Sequence, residues 1–305
     1  MDFTLFQQLF VNGIIAGTRY GALGVGFGLI LGVTGRFHFA YSTTYVVTAY
    51  GAIIAADRGV PLLPALAIGL ALGAILGMLI ERLIYRPLQS SAPTLALLAI
   101  FISSLGIVIV GQNLIRLWAG SRSKILDTGF TVEGLSLGDN TFTSLDVVMV
   151  CVLWAVILGV WALIRFTQPG RMISAVRVNP EMARVVGIDS GRIYLAVFAI
   201  GSLVAGSVAL LSAMKYAALP DMGQQPTFLA FVVAFLAGIG SGPLRTALTG
   251  LAVGMIESLS GVWLSAQWAP MVVFSLLFIY VALKPFSLST TVPARARKLL
   301  PLGVR

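Results

Sequence analysis

Charge is scarce in this chain: Asp, Glu, Lys and Arg together make up 10% of its 305 residues, where a soluble domain carries about a quarter. So few charges cannot solvate a globular surface. That excludes a soluble enzyme, a nucleic-acid binder or a disordered tail as a description of the whole chain. The net charge of +9 therefore points to membrane orientation rather than to nucleic acid. Cysteine is nearly absent. Cys151 stands alone in an apolar run, which rules out an intrachain disulfide and a cysteine-based metal cluster. The single histidine, His38, rules out H-E-x-x-H, and no G-x-x-x-x-G-K-[ST] occurs. No metal, no cofactor and no catalytic residue is expected. Ionisable groups inside the apolar runs are few as well: Arg19, Glu81 and Glu257. An ion-coupled carrier usually needs more. Glu81, beside Arg82, and Glu257 read as structural, whereas Arg19 is as well suited to a pathway as to local pairing.

What the chain has in abundance is apolar sequence, 58% of residues, with a mean hydropathy of +0.97. At about 20 residues per crossing, this length holds roughly eight to ten spans. Uncharged runs place them at 3–18 and 20–35, one span flanking Arg19, then at 37–56, 59–80, within 87–115, at 147–164 and 193–214, and, as two or three more, at 222–244, 246–256 and 258–283, bounded by Arg245 and Glu257. No cleavable leader is expected. The expected fold is all-α, a polytopic bundle of about eight to nine spans. Residues 1–285 form one transmembrane domain, and 286–305 form a basic tail.

The connections set the orientation. Arg165, Arg171, Arg177, Arg184 and Arg192 outweigh Glu181 and Asp189, and the tail from Lys284 is wholly basic. The 119–146 connection is net acidic, with Asp127, Glu133, Asp139 and Asp146. Basic connections stay in the cytoplasm. The 165–192 loop, an Arg82–Arg86 turn and the C-terminus are thus expected inside, with the N-terminus outside, in a bacterial inner membrane.

Two glycine-rich stretches read alike: Gly28-Leu-Ile-Leu-Gly-Val-Thr-Gly35 and Phe235-Leu-Ala-Gly-Ile-Gly-Ser-Gly242. So do Gly77-Met-Leu-Ile-Glu81 and Gly254-Met-Ile-Glu257. Duplicated halves with interrupted segments are a transporter signature, and the interruptions mark the central route. His38, Tyr41, Ser42 and Thr43 follow the first break and Arg245 follows the second, so these five are candidate pathway residues. For His38 a locally satisfied, purely structural role is the stronger reading.

In the basic loop, Asn179 is placed to cap a short helix with Pro180 at its first position and Glu181 in its first turn. Met182, Val185 and Val186 fall on one face beside Ala183 and Arg184, and Gly187 ends the turn. Such a helix suits a groove on a soluble partner; the alternative is a helix lying on the lipid surface.

At this loop the chain resembles the LivH-type permeases of branched-chain amino-acid ABC importers. Their pattern is close to T-x-x-G-x-A-x-R-A-x-A-x-[DN]-P-E-x-A-x-x-x-G-I-[DN]. Tyr20 to Gly35, Glu81-Arg-Leu-Ile-Tyr-Arg-Pro-Leu88, Gly238-Ile-Gly-Ser-Gly-Pro-Leu244 and Gly254-Met-Ile-Glu-Ser258 resemble further family blocks in the same order. The resemblance implies an ABC importer permease fold in which 167–191 is the ATPase-coupling loop. It also implies three kinds of partner besides the lipid bilayer and no nucleic acid: a second related permease, two ATPases and an extracytoplasmic solute-binding protein. The cargo implied is a branched-chain amino acid or a related amino acid, amide or carboxylate. An ion-coupled secondary transporter and an intramembrane lipid-modifying enzyme are the rival classes. The chain departs from the family where G-V-x-N-F-A-H-G is usual: His38, Tyr41 and Ser42 replace Asn, His and Gly, and Arg245 stands at a small-residue position. These changes bear on substrate choice and leave the fold intact.

Overall fold

A computed structural model describes residues 3–91, 95–126, 134–137, 140–265 and 268–288. The basic tail from 289, with Arg295, Arg297, Lys298 and Arg305, lies outside the described residues, as do Asp127, Glu133 and Asp139 of the acidic connection. Helices dominate. α1 runs Phe3–Thr34, α2 Tyr41–Asp57 and α3 Leu62–Ile80, which continues through a π-helical turn, Glu81–Tyr85, into α4, Arg86–Ser91. α5 spans Ala96–Ala119, and a small hairpin pairs β1, Gly134–Leu137, with β2, Asn140–Thr143. Then come α6 Ser144–Phe166, α7 Gln168–Val178, α8 Pro180–Val185, α9 Ser190–Lys215, α10 Gln224–Ala237, α11 Pro243–Ser260 and α12 Ala269–Leu288.

Among the described residues, five helices are long and apolar enough to cross a bilayer: 6–34, 62–90, 96–119, 144–166 and 190–215. α2 and α10 are shorter. At 1.5 Å per residue, the 14 residues of α10 reach about 21 Å, short of a 30 Å hydrocarbon core. Both adjoin a glycine-rich break, and both are largely buried in protein. That is the setting in which interrupted backbone survives at membrane depth.

The structure redraws three boundaries. Arg82–Arg86 is no turn: the Arg86 N–H reaches back to the Glu81 carbonyl, so the helix passes straight through. The widened coil sits directly before Pro87, which has no N–H to give to a regular ladder. Arg245 and Glu257 do not delimit spans either, because both lie within α11. The basic loop holds two helices, α7 and α8, rather than one.

The core is built on close helix approach. Gly13, Gly17 and Gly21 form one stripe of α1, facing Gly250 and Gly254 of α11. A Cβ on Gly254 would lie 2.3 Å from the Gly17 Cα. Lipid gives helices no hydrophobic drive to associate, so such backbone contact supplies the packing energy. α9 packs on α1, α2 and α3 from the other side. α5 and α6 stand at the periphery with most of their apolar surface exposed. The acidic connection is pinned at the bundle end remote from α7 and α8. There Lys124 bridges to Ala218 through its backbone and pairs with Asp57 at 3.0 Å, and Lys215 pairs with Asp146.

Candidate functional site: two helix breaks and the helices that hold them

The two breaks meet. Gly35 at φ +68° lets the chain leave α1, and Gly238 and Gly240 at +94° and +78° make the corresponding bend after α10. These are left-handed conformations that L side chains resist. Gly32 lies against the second break so closely that a Cβ there would be 2.9 Å from the Gly240 Cα. The similar stretches in the sequence are thus in contact, backbone to backbone.

The first break, 35–40, is clamped to the π turn by two buried pairs. Arg36 forms an ion pair with Glu81, both side chains 2% exposed, and also donates to Gln89. His38 Nδ1 meets the Tyr85 hydroxyl at 3.0 Å. Glu81 and Tyr85 stand four apart on one helix face, and Arg36 and His38 two apart in the break, so the two pairs form in register. The Arg36 guanidinium lies 5.1 Å from the Tyr194 ring centroid of α9. Removing one member of a buried ion pair costs about 3–5 kcal/mol. Glu81, read from the sequence beside Arg82, turns inward instead, and Arg36 is a residue that sequence reading missed. Its signal was present: an arginine directly after a glycine break, within reach of an acid at membrane depth.

The sequence-predicted pathway residues divide. His38, Tyr41, Ser42 and Thr43 come together in the first break and the first turn of α2, all buried. The His38 ring contacts Phe198, Tyr85 and Tyr41, with centroids 4.8, 5.6 and 6.1 Å apart, and its Nε2 has no partner. The Tyr41 hydroxyl donates to the Leu23 carbonyl, and Thr43 donates to the Ile107 carbonyl, each at 3.3 Å. Ser42 lies against Gly223 at the start of α10, its hydroxyl unpartnered. Arg245 is apart from them, exposed in the first turn of α11. Of the remaining intramembrane ionisable groups, the Glu257 carboxylate accepts from the Tyr20 hydroxyl, and Arg19 stands over the Tyr216 ring at 5.6 Å.

The second break is held from the loop. Thr167 caps α7, accepting from the Gly170 N–H at 3.2 Å. Gly170 folds tightly onto the end of α6, where any Cβ would fall 2.2 Å from the Leu163 carbonyl oxygen. This sharp corner carries α7 beneath the bundle, and Arg177 Nη1 donates to the Gly240 carbonyl at 2.9 Å. α8 follows directly. Asn179 Oδ1 accepts from the N–H groups of Glu181 and Met182, each at 3.0 Å, and Pro180 occupies the first position. Gly187 at φ +84° ends it, with the Ile188 N–H returning to the Ala183 carbonyl. Ala183 is buried, while Met182, Val185 and Val186 are 65%, 81% and 73% exposed. The helix therefore presents an apolar face to solvent.

The comparisons with known proteins agree with this architecture. PsaBC from Streptococcus pneumoniae, solved in complex with Fab, is similar over 92% of this chain and 91% of that chain, at a TM-score of 0.50 and 13% identity; this likeness concerns the fold alone. The high-affinity branched-chain amino acid transport system permease protein LivH of Escherichia coli K12 is 31% identical over 298 residues, covering 93% of this chain and 95% of its own length. BraD of Pseudomonas aeruginosa, of the same description, is 29% identical over 294 residues, covering 92% and 94%. The model of the family described as branched-chain amino acid transport system / permease component matches residues 9–282. With its polytopic helical fold and paired helix breaks, the chain belongs to that family of membrane transport permeases.

Proposed function

We propose that this chain is the transmembrane permease subunit of an ATP-driven importer that carries a branched-chain amino acid, or a closely related small solute, across the bacterial inner membrane. The cargo follows from the relatives' names; the drive follows from the loop. α8 with its flanking caps, residues 179–187, is the ATPase-coupling helix: capped at both ends, seated by Ala183 and exposing Met182, Val185 and Val186, it fits a groove on a soluble partner. The full assembly contains a second related permease, two cytoplasmic ATPases and an extracytoplasmic solute-binding protein. The α7–α8 end and the tail face the cytoplasm and the N-terminus faces outside, in keeping with the arginine-rich loop.

The observation that carries this reading is the direct link from the loop to a helix break, Arg177 to Gly240. An ATPase that moves α7 and α8 pulls on the 238–242 backbone, and that backbone packs on Gly32 at the first break. The conformation described is then the closed one, with the breaks in contact, His38, Tyr41 and Ser42 sealed, and Thr43 bordering a cavity towards α5. Moving the second break away opens the route beside these residues near the permease–permease interface, with Arg245 at its cytoplasmic side. Contacts with cargo there are weak, because tight midplane binding slows release.

The test is reconstitution with the cognate ATPases. Met182→Asp and Val185→Asp place charge on the docking face and should abolish ATPase association and uptake, while the permease itself still accumulates in the membrane. Normal association and uptake in both variants contradict the docking assignment.

A further inference from the structure

A large apolar cavity opens to one side of the breaks, reaching Thr43. It lies between α2, α3 and α5, with a volume of about 760 Å³, walled by Val47, Ile54, Leu76, Ile107, Val110 and Leu114. α5 closes on α2 at Gly111, where an added Cβ would lie 2.4 Å from the Thr43 methyl, yet at Gly106 a Cβ would meet nothing within 4 Å. The helices therefore gape along much of α5. The rims are apolar and exposed: Leu72, Ile75 and Leu79 on α3, and Ile109, Val110 and Leu114 on α5. At the end remote from α7 and α8 the groove leads into a second space of about 400 Å³, sharing Ile54, Trp118 and Ala119 and lined by Asp57, Arg58 and Lys124.

We propose that this groove binds one zwitterionic phospholipid bearing a primary ammonium. Arg58 and Lys124 hold its phosphate, Asp57 takes its ammonium and an acyl chain fills the apolar groove. Charge complementarity selects this occupant. The mouth sets Arg58 beside the Lys124–Asp57 pair, 3.0 Å apart, an alternation of charge that a phosphate and an ammonium extend, and Trp118, 84% exposed, is of the residue type that settles at the membrane interface. The transported solute fits poorly, because its charged groups would travel along a wall that offers almost no polar partner. A helix of the second permease is the competing occupant, since Ser103, Gly106 and Gly111 also line the wall and small residues favour close helix contact; the charged mouth favours the lipid. Thr43 borders both this groove and the proposed route, but the lipid assignment does not rest on the transport role.

The experiment uses the full-length chain purified with its partner subunits, in nanodiscs of phosphatidylethanolamine or of phosphatidylglycerol. Mass spectrometry of the intact complex after detergent release should show one retained phosphatidylethanolamine. Arg58→Ala combined with Lys124→Ala should lower its occupancy at least fivefold. So should Gly106→Phe, which fills the groove from a position with open space. Equal retention of phosphatidylglycerol, or unchanged occupancy in both variants, overturns the site. A photoreactive residue at Val110 gives an independent reading: a lipid adduct supports the proposal, and a cross-link to the second permease overturns it.

Discussion

Arg177 of α7 donates to the carbonyl of Gly240 at 2.9 Å, joining a helix outside the membrane-spanning bundle to a break inside it. Gly240 has φ +78°, so the carbonyl is aimed by a conformation that a side-chain-bearing residue resists. Hydrogen bonds from a charged donor contribute about 1.5–3 kcal/mol. Arg177→Ala should therefore leave assembly and ATPase binding intact and lower uptake by about tenfold or more. Uptake and ATP hydrolysis in proteoliposomes check this; an unchanged ratio of solute moved to ATP hydrolysed contradicts it.

The buried clamp on the first break makes a different demand. Glu81→Gln strands the Arg36 guanidinium, so the protein should lose about 3–5 kcal/mol and accumulate poorly or melt earlier. The double variant Arg36→Met with Glu81→Leu removes both charges and should recover most of that loss. Thermal unfolding in detergent measures both, and a single variant as stable as the parent contradicts the clamp.

Helix approach is tested by two glycines of opposite surroundings. Gly254→Val places side-chain atoms inside the Gly17 backbone and should abolish accumulation in the membrane. A Cβ on Gly159 in α6 meets no neighbour within 4 Å, so Gly159→Ala should be silent. Membrane yields of the two variants decide it.

For the sealed residues beside the first break, His38→Asn keeps a polar side chain but removes the ring packed on Phe198, and Tyr41→Phe removes only the hydroxyl that donates to Leu23. Both should assemble normally and hydrolyse ATP at the basal rate, with an altered uptake rate or selectivity. Parental uptake kinetics in both variants at normal expression remove these residues from the route.

Much of this was legible in the sequence because membrane folds write themselves in long apolar runs. The first, fifth and sixth spans match α1, α6 and α9 to within a few residues. The breaks were legible because only glycine tolerates the bends at 35, 238 and 240. The α8 caps were legible because Asn, Pro and Gly each do one thing at a helix end. Charge misled within α11: Arg245 and Glu257 were read as span limits, yet that one helix carries both, Arg245 exposed and Glu257 buried and bonded to Tyr20. Arg36 was passed over because its partner, Glu81, is 45 residues away, a distance that periodicity does not see. The first helix of the loop, α7, was hidden because Pro169 and Gly170 at its start read as a break rather than a helix. The Arg177–Gly240 link was hidden because a backbone carbonyl leaves no mark in a sequence.

The central claim is that α8 carries force from a cytoplasmic ATPase to the breaks, and one cross-linking measurement addresses it most directly. Cys151 is the only cysteine, so a Cys151→Ser background admits a single probe at Val185, in the form Val185→Cys. In inside-out vesicles of the assembled importer that cysteine should react with an impermeant thiol reagent and should cross-link to the ATPase subunit. In intact spheroplasts it should stay unreacted. Labelling from the outside, or accessible thiol with no cross-link to an ATPase present in the complex, contradicts the account.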